Sequence, residues 1–476
     1  MTKPQILWLR RDLRMADNPA LLAAAIAGPV IPVFVLDDER AKDHAYGGAS
    51  RWWLHHSLES LQSSYAKRHA RIVLRKGDAV EELLAIAKET GAATIHASHH
   101  YEPWWRNAQK ALAKKIDLQL YEGNYLLPMG SVTTGSGGQY KIYTPFSKAV
   151  RAQFPPRDLV PEPETISSPD TWPKSDDLAD WKLLPTKPDW AGGMRKFWEV
   201  GEGAAQDQLS WWSDHVDDYD EARNLPSKDK VSRMSPHLHF GEITPVQIWH
   251  HFKDKNALKQ RSGSANKDSS KGWQTYEGEL IWRDYATNTI AQFPLYAREN
   301  YREEFDAIKW RDPDSDERAA RDLKAWQQGK TGYPIVDAGM RQLWQTGWMH
   351  NRVRMITASF LIKHLLIDWR KGEQWFWDTL VDADYGSNAV NWQWTAGTGV
   401  DSNMFVRIMA PLTQSEKFDA AAYIREYVPE LADLKDPAIH DPEEHGKLPK
   451  AYPPKIIGHR EARERALSAY KAMKGE

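Results

Sequence analysis

The fold of the first part of the chain is decided by the stretch Ile6-Leu7-Trp8-Leu9-Arg10-Arg11-Asp12-Leu13-Arg14. An apolar run followed by a cluster of charges is typical of a buried strand that ends in a loop. The loop lacks the GxGxxG pattern that commonly holds a dinucleotide phosphate after such a strand. The stretch therefore predicts the first strand of a sheet and argues against a dehydrogenase of the Rossmann type.

Outward from this stretch, short apolar runs alternate with longer amphipathic ones. This alternation is typical of repeated βαβ units, which form a parallel sheet covered by helices on both faces. The predicted strands occupy residues 6–9, 30–36, 71–74 and 94–97, and the predicted helices occupy residues 50–69, 79–90 and 103–115. We therefore expect an N-terminal α/β domain with a Rossmann-like parallel sheet over residues 1–130.

A proline-rich segment separates this domain from the rest of the chain. Eight prolines lie between Pro155 and Pro188 among Asp, Glu, Ser and Lys, which is typical of a long connection. Beyond it the apolar spacing is helical, over residues 204–215, 245–252, 279–292, 339–366 and 461–473. We expect a linker over residues 131–193, an all-α domain over residues 194–476, and an exposed, mobile loop at residues 253–271.

The composition limits the class of protein. The 476 residues suit two or three domains, and 41% hydrophobic with 27% charged residues is the balance of a globular protein. The mean hydropathy is −0.66. No apolar run approaches the roughly 18 residues that span a bilayer, and charges interrupt the start of the chain before a signal peptide could develop. We expect no membrane partner and a cytoplasmic location.

Counts of single residue types are also informative. Zero cysteines exclude disulfides, thiolate zinc sites, iron–sulfur clusters and cysteine nucleophiles, whereas 23 tryptophans exceed what core packing requires. Because the net charge is −2, a polyanion would have to bind a local basic patch. Residues 341–371 are such a patch, with six Lys or Arg against one acid and three interleaved tryptophans. A solvated helix face with core tryptophans explains that composition equally well.

Three further stretches carry candidate site residues. Glu279, Trp282 and Arg283 share one helical face, which suits either a ligand or an ion pair within the helix. Residues 232–241 (SRMSPHLHFG) could hold a phosphate with hydroxyl and backbone N–H groups, or could cap a helix. Residues 382–394 crowd acids, amides and indoles together. Since buried polar groups need partners, we expect a polar ligand or an arginine there.

Histidines occur in pairs at residues 55–56, 99–100 and 250–251, and His237 stands near His239. We find no i+4 partner with a carboxylate in a recognised metal-binding spacing at any of them. The sequence also lacks GxSxG, Walker and HExxH motifs, so hydrolase and phosphotransferase classes have no support. We therefore expect no metal.

Taken together, these motifs resemble the photolyase and cryptochrome family, most closely a class I bacterial cyclobutane pyrimidine dimer (CPD) photolyase. The resemblance covers nearly the whole chain and rests on six ordered stretches, residues 8–18, 232–241, 279–283, 330–334, 348–352 and 388–394. It implies an N-terminal domain for an antenna chromophore of the folate, deazaflavin or flavin type. It also implies that the all-α C-terminal domain binds FAD.

The resemblance further implies an activity. Such proteins repair pyrimidine dimers in damaged DNA by light-driven electron transfer from reduced FAD to a dimer flipped out of the duplex. Asn351 and Met355 stand where a (6-4) photolyase is expected to carry histidines, so that activity is disfavoured. The alternative is a cryptochrome-type blue-light sensor without repair activity, although signalling members usually carry a C-terminal extension. We expect a monomer.

Site residues follow from the resemblance, position by position. Glu279, with a pKa raised by burial, would hydrogen-bond the dimer in a pocket completed by Trp282, Trp394, Asn351 and Met355. The implied electron-transfer chain is Trp310, Trp369 and Trp392. The implied FAD contacts are Tyr219, Val231, Ser232, Arg233, Met234, Ser235, Tyr276, Asp382, Ala383, Asp384 and Asn388, the last of these opposite flavin N5. The implied DNA contacts are Arg223, Arg283, Arg352 and Gln414.

Overall fold

A computed structural model of the chain describes residues 2–261, 269–402 and 404–476. Its N-terminal domain contains a five-stranded parallel sheet in the order β3-β2-β1-β4-β5. The strands are β1 (Gln5–Leu9), β2 (Val30–Leu36), β3 (Val73–Lys76), β4 (Thr94–Ser98) and β5 (Asp117–Tyr121). The expected parallel α/β domain is confirmed.

Burial explains this sheet. Every residue of β1 and β2 is buried, because helices cover both faces. These helices are α1 (Pro19–Ala27), α2 (Asp38–Ala41), α3 (Gly48–Ala66), α4 (Ala79–Thr90) and α5 (Pro103–Leu112). Asn18 and Asp78 begin α1 and α4, since their side chains accept backbone N–H bonds at the N-cap. The sequence analysis missed β5, whose partly exposed edge residues form no apolar run.

The second half of the chain is helical, as expected. After α6 (Tyr143–Arg151) in the connecting segment, the helices are α7 (Gly192–Phe197), α8 (Glu202–Ser213), α9 (Tyr219–Ala222), α10 (Ser235–Phe240), α11 (Pro245–Arg261), α12 (Ser269–Gln292), α13 (Glu317–Gln327), α14 (Pro334–Thr346), α15 (Asn351–Ser359), α16 (Trp369–Thr379), α17 (Tyr385–Ala396), α18 (Pro411–Lys417), α19 (Ala421–Tyr427) and α20 (His459–Lys474). Within the described ranges, these helices include none that is both long and apolar enough to cross a membrane.

Two predicted segments differ from the structure. The sequence analysis expects one helix over residues 339–366, but α14 ends at Thr346 and α15 begins at Asn351. Gly347 adopts φ 67° directly after α14, a left-handed conformation that glycine accepts at little cost and that stops the helix. The loop expected at residues 253–271 is wrong for residues 253–261, which extend α11, and for residues 269–271, which begin α12. Residues 262–268 of that expected loop lie outside the described residues.

Arg14 follows β1 in the charged stretch and forms hydrogen bonds with both domains. It is fully buried and donates to the Gly241 carbonyl (3.0 Å) and to Asn124 Oδ1 (2.9 Å). Beside it, Glu202 at the start of α8 accepts from the backbone N–H groups of residues 15 and 16, each at 2.8 Å. Because hydrogen bonds to charged groups are the stronger kind, we regard this joint as a main link between the domains.

The connecting segment runs back over the N-terminal domain. The Asp176 N–H donates to the Leu74 carbonyl (2.8 Å), and Ser175 Oγ accepts from the Leu74 N–H (2.9 Å). Residues 175–176 therefore lie along the outer edge of β3. Farther back, α6 packs against α12 of the helical domain. The segment thus contacts both domains, while its predicted boundaries at residues 131 and 193 stay predictions.

Candidate functional site

Glu279 lies half-buried on α12 and pairs with an arginine from another element. Its Oε1 is 2.5 Å from Nη1 of Arg223, which follows α9 directly. Burial raises the pKa of Glu279 above its usual value, and the positive charge of Arg223 opposes that rise. The ion pair expected within the helix, between Glu279 and Arg283, is therefore replaced by one between distant parts of the chain.

Trp282 follows Glu279 by one turn and stacks on Tyr143. The two ring centroids are 3.5 Å apart and the ring planes differ by 5°. The Tyr143 hydroxyl donates to the Gly278 carbonyl (2.9 Å), and the Tyr143 backbone N–H donates to Asp401 Oδ2 (2.8 Å). Burial raises the pKa of Tyr143 to about 12. Sequence reasoning missed Tyr143 because it lies in the connecting segment, outside every recognised motif.

The start of α15 brings three predicted residues into the same region. Arg352 Nη1 is 3.5 Å from Met355 Sδ, and its guanidinium lies 4.6 Å from the centroid of the Phe418 ring. Burial and the positive charge of Arg223 lower the pKa of Arg352, so the two arginines are near neighbours. Asn351 is exposed beside them. The region therefore combines a carboxyl, an indole and two guanidinium groups.

His350 and Arg354 belong to this region and were missed from the sequence. Burial and the nearby arginines lower the pKa of His350 to about 3, so its imidazole is neutral at physiological pH. His350 Nδ1 accepts from the Arg352 N–H (3.2 Å) at the N-cap of α15. Arg354 Nη2 donates to Asp382 Oδ2 (2.9 Å). The signal that could have found them was the basic patch at residues 341–371, which contains both.

Arg283 follows Glu279 by one turn of α12, but its hydrogen bonds are made elsewhere. Arg283 donates to the Asn124 carbonyl (2.6 Å) and to the Leu238 carbonyl (3.2 Å). Its guanidinium therefore serves the joint between the domains, which differs from the DNA contact expected for it. Gln414 is half-buried on α18, and Trp394 is half-buried on α17.

Residues 231–235 form a strained turn before α10. Arg233 has φ 50°, a left-handed conformation that residues other than glycine rarely adopt. Ser232 Oγ accepts from the Met234 N–H (3.3 Å), and α10 begins at Ser235 without a side-chain cap. The capping interpretation of this stretch is therefore not seen. Arg233 pairs with Asp229 (2.9 Å). Strain of this kind is concentrated at functional sites.

Tyr219 and Tyr276 form an aromatic wall next to this turn. Their rings meet edge to face at 5.6 Å, and each ring also meets Trp212, at 5.2 and 5.3 Å respectively. Ser232 lies beside the Tyr276 hydroxyl, and Val231 packs half-buried against the core. Burial raises the pKa of both phenols. The wall therefore presents neutral phenol groups.

Residues 382–384 offer an unsatisfied acceptor. Asp382 Oδ2 accepts from Arg354, but its Oδ1 is buried and has no hydrogen-bond partner among the described residues. Asp384 is the N-cap of α17 and lies 3.2 Å from Arg11 Nη1 of the N-terminal domain, with Ala383 buried between the two acids. A buried oxygen without a partner is costly, so Asp382 suits a ligand that donates a hydrogen bond.

Asn388 is oriented by a buried acid. Its amide nitrogen donates to Glu373 Oε1 (2.9 Å) and to the Glu373 carbonyl (3.1 Å). Because both bonds use the nitrogen, Asn388 Oδ1 is left to accept from a ligand. Glu373 is 1% exposed. Sequence reasoning missed it, since its neighbours Lys371 and Gln374 are typical of an exposed helix face.

Trp392 and Trp369 lie on packed helices, α17 and α16. A Cβ at Gly372 would come within 2.2 Å of Trp392 Cη2, so the indole fills the space that a side chain would need. Trp369 is fully buried one turn earlier and donates from Nε1 to Asn300 Oδ1 (2.9 Å). Trp310 is half-buried. The three indoles thus range from buried to partly exposed, as a path from an interior site to the surface requires.

A second candidate site lies in the N-terminal domain. A cleft, which we call the sheet-edge cleft, opens beyond the carboxyl ends of β1 and β2 and is lined by Arg10, Arg11, His44, Tyr46, Trp104 and Trp105, among others. The strand order reverses between β1 and β4, and open α/β sheets bind ligands at such points. Sequence reasoning did not locate this cleft because its walls come from several separate segments.

His55, His56 and Glu59 on α3 form the one group of three possible metal ligands within the described ranges. Their ligand atoms lie within 4.8 Å of one another. The carboxylate faces both rings, at 2.9 Å from His56 Nδ1 and 3.4 Å from His55 Nε2. The sequence analysis overlooked Glu59 as the i+4 partner of His55. The expectation of no metal stays a prediction.

Family models match both halves of the chain. Residues 5–165 match the model described as DNA photolyase, and residues 276–472 match the FAD binding domain of DNA photolyase. The deoxyribodipyrimidine photo-lyase of Agrobacterium fabrum is 46% identical, and the alignment covers 99% of this chain and 98% of that relative. The chain therefore belongs to the DNA photolyase and cryptochrome family, and its helical domain is an FAD-binding domain.

Solved structures agree with this fold. A bacterial class III photolyase from Agrobacterium tumefaciens is 45% identical, with a TM-score of 0.92 and coverage of 100% of this chain and 98% of that one. An archaeal photolyase from Sulfolobus tokodaii, solved with two FAD molecules, is 29% identical, with a TM-score of 0.80 and coverage of 98% and 100%. The family resemblance is confirmed. The structure at 45% identity is of class III and not of the class I that the sequence resemblance names, so the subclass of this chain stays a prediction.

The residues of the helical domain fit FAD. Asp382 Oδ1 needs a hydrogen-bond donor, and Asn388 Oδ1 is turned away from its own partner Glu373. A flavin nucleotide carries ring and ribityl groups that can make such bonds. Tyr276, Asp382 and Asn388 fall within the matched FAD-binding range, whereas Tyr219 and the turn at residues 231–235 precede it.

Proposed function

We propose that this protein is a light-driven DNA repair enzyme that splits cyclobutane pyrimidine dimers. The observation that carries the proposal is the Glu279 group, in which a carboxyl of raised pKa stands between the Trp282 indole and the Arg223 guanidinium. The group belongs to the domain that binds FAD. The name of the 46% identical relative, deoxyribodipyrimidine photo-lyase, supports the same substrate class.

Recognition of DNA falls to the arginines and the indoles. Arg223, Arg352 and Gln414 would contact phosphates along the rim, which positions the strand without reading its sequence. Trp282 and Trp394 would support the flipped bases, because an indole face stacks on any base. Tyr143 already covers one face of Trp282, so the other face is the one available to a base. A damaged pair leaves the stack at lower cost than an intact one, which favours the lesion.

Reduced FAD, when it absorbs visible light, supplies the single electron for the dimer, which no amino-acid side chain donates in visible light. Asp382 and Asn388 would hold it through their free oxygens. Tyr219, Tyr276 and Ala383 would pack around it, and the turn formed by Val231, Ser232, Arg233, Met234 and Ser235, together with Asp384, would bind its polar groups. Trp392, Trp369 and Trp310 would carry charge between the buried site and the surface.

Glu279 would hold a proton at the dimer. A protonated carboxyl can donate a hydrogen bond to a dimer carbonyl and stabilise the negative charge that develops on it. Arg223 favours the ionised carboxylate while the two are paired. A DNA phosphate that attracts Arg223 would remove this effect and raise the pKa of Glu279 further. DNA binding and protonation of Glu279 would therefore support each other.

The test is repair of an oligonucleotide that contains one thymine dimer, followed under blue light. Wild type is expected to restore the dimer, and Glu279→Ala, which removes the donor, is expected to slow repair about 10²-fold while FAD stays bound, since loss of such a donor costs about that factor. Glu164→Ala, at an exposed acid of the connecting segment, is the matched control. If wild type binds damaged DNA but never repairs it, the cryptochrome-type sensor is the better account.

The proposed tryptophan chain has its own test. Trp392→Phe keeps an aromatic ring on α17 but removes the readily oxidised indole, which lies against Gly372. We expect a larger loss in the light-driven reduction of bound FAD than in repair by protein that was reduced chemically beforehand. Absorbance under illumination measures the first rate, and dimer restoration measures the second. Equal losses in both rates would contradict the chain.

We also propose that the sheet-edge cleft holds the second chromophore. Its aromatic walls suit a planar ring, and the Nε–H groups of Arg10 and Arg11, which have no hydrogen-bond partner among the described residues, suit an acceptor on that ring. The structure from Sulfolobus tokodaii was solved with two FAD molecules, so a relative of this fold accommodates a second ring. Absorbance of the purified protein beyond that of one FAD is expected, and Ala41→Trp, which fills the cleft, should remove it.

A further inference from the structure

A short segment of the N-terminal domain, residues 43–50, lies directly against α16 of the helical domain. Trp377 donates from Nε1 to the Ala45 carbonyl (2.7 Å), and the Gly48 N–H donates to Asp378 Oδ1 (2.8 Å). A Cβ at Gly47 would lie 2.4 Å from Asp378 Cα, so the two backbones are in close contact. The position of this segment relative to α16 is therefore tightly fixed.

His44 is the side chain that reaches from this segment into the FAD-binding domain. It is 6% exposed, and its Nε2 lies 3.4 Å from Glu373 Oε1. Its ring meets Trp377 and Tyr385 edge to face at 5.0 and 4.9 Å, and lies parallel to Trp104 at 6.3 Å. Aromatic groups from both domains thus hold the imidazole in one orientation.

Glu373 Oε1 is shared between the two domains. The same oxygen that faces His44 accepts from Asn388 Nδ2 at 2.9 Å. With a proton on Nε2, the imidazole donates to this oxygen, and a carboxylate oxygen can accept both bonds. The chain His44–Glu373–Asn388 therefore connects the wall of the sheet-edge cleft with the amide assigned to the flavin ring.

We propose that His44 is a positioning residue for the FAD site, which holds Asn388 in place through Glu373 and so tunes the reduction of FAD from the other domain. The inference rests on the proposed function, in which Asn388 faces the flavin. Without the His44 N–H, Glu373 loses one of the bonds that fix its shared oxygen, and Asn388 Oδ1 is held less firmly. Reduced FAD should then be favoured less.

The test uses purified protein with its FAD bound, equilibrated at one fixed potential with a reference dye. His44→Phe keeps an aromatic ring but removes the N–H group, and we expect the ratio of reduced to oxidised FAD to fall about threefold to tenfold, the range for one lost hydrogen bond. His44→Gln keeps an N–H donor of similar reach and should restore most of the ratio. His445→Phe, the same substitution at an exposed histidine, should leave the ratio unchanged.

The outcomes separate this inference from the proposed function. If His44→Phe equals wild type, or if His44→Gln is as perturbed as His44→Phe, His44 does not act through its hydrogen bond and the inference is overturned. Asn388→Ala is measured in parallel. If that variant also leaves the ratio unchanged, Asn388 does not face the flavin and the proposed cofactor placement fails. If Asn388→Ala changes the ratio and His44→Phe does not, only the role of His44 is rejected.

Discussion

Two groups of arginines in this protein are alike in sequence and differ in their surroundings. The joint arginines, Arg10, Arg11 and Arg14, follow β1 and are at most 5% exposed. The rim arginines, Arg223 and Arg352, border the Glu279 group and are partly exposed, Arg223 by 23% of its side chain. Charge in the sequence marks both groups equally. Because their partners differ, the joint arginines stabilise the fold, whereas the rim arginines can bind a polyanion.

The partners of the joint arginines are all internal. Arg10 donates to the Ser98 carbonyl and lies 3.9 Å from the Trp8 ring, and Arg11 pairs with Glu102 at 2.7 Å. These guanidinium groups cannot turn to a phosphate without leaving a buried acid or carbonyl unpaired. The rim arginines each have a partner at the surface, which a phosphate can replace at low cost.

The largest effect should come from breaking the joint. Arg14→Met removes a buried cation and leaves its partners Gly241 and Asn124 without a donor. We expect the free energy of unfolding to fall by about 3–5 kcal/mol, the range for a broken buried charge network. Denaturant unfolding measures this change. The same substitution in the rim, Arg223→Met, is the control. An equal loss of unfolding free energy in that variant would contradict the proposed difference between the joint and rim arginines.

A smaller effect should come from the rim. Arg223→Met is expected to weaken binding to dimer-containing DNA by about 5- to 30-fold, as removal of one phosphate contact costs about 1–2 kcal/mol, and to reduce the salt dependence by about one counterion. Fluorescence anisotropy at several salt concentrations measures both quantities. An unchanged salt slope would show that Arg223 does not contact a phosphate. Arg195→Met, at an exposed surface pair with Asp189, is the matched control.

The smallest effect should be a dependence of affinity on pH. If a phosphate draws Arg223 away, the pKa of Glu279 is higher in the complex than in the free protein, so binding takes up a proton. Affinity is then greatest below both pKa values and falls as the pH rises through the interval between them. We expect a change of about threefold, which corresponds to a pKa difference of about half a unit. Glu279→Gln should show a flat profile, and a dependence that persists in this variant would assign the effect to another group.

Much of the fold could be predicted because its signals are local. The strands at residues 6–9, 30–36 and 94–97 are continuous apolar runs, and their predicted places differ from the structure by at most one residue at each end. β5 could not be predicted in this way, since an edge strand buries little of its surface. The break between α14 and α15 depends on the left-handed conformation of Gly347. The spacing of apolar residues in the sequence gives no information about that conformation.

The residues of the candidate site differ in the same way. Those placed by local spacing could be predicted, and those placed by contacts between distant parts of the chain could not. Glu279 and Trp282 share a helical face, and this proximity follows from their spacing alone. Tyr143 and Glu373 could not be found, because their roles depend on contacts with Trp282 and Asn388, which only the folded chain brings near. Arg283 shows the reverse. Its spacing places it beside Glu279, yet its guanidinium donates to the Asn124 carbonyl at the joint between the domains.

The contact between the connecting segment and β3 has a consequence for how copies of the protein behave together. An outer strand offers unpaired backbone groups to which a second molecule can add a strand of its own. Here Ser175 and Asp176 already occupy the Leu74 groups on that side. The proline-rich crossing therefore also acts as a cover that keeps neighbouring molecules from adding to the sheet, and cutting it out would expose a surface prone to aggregation.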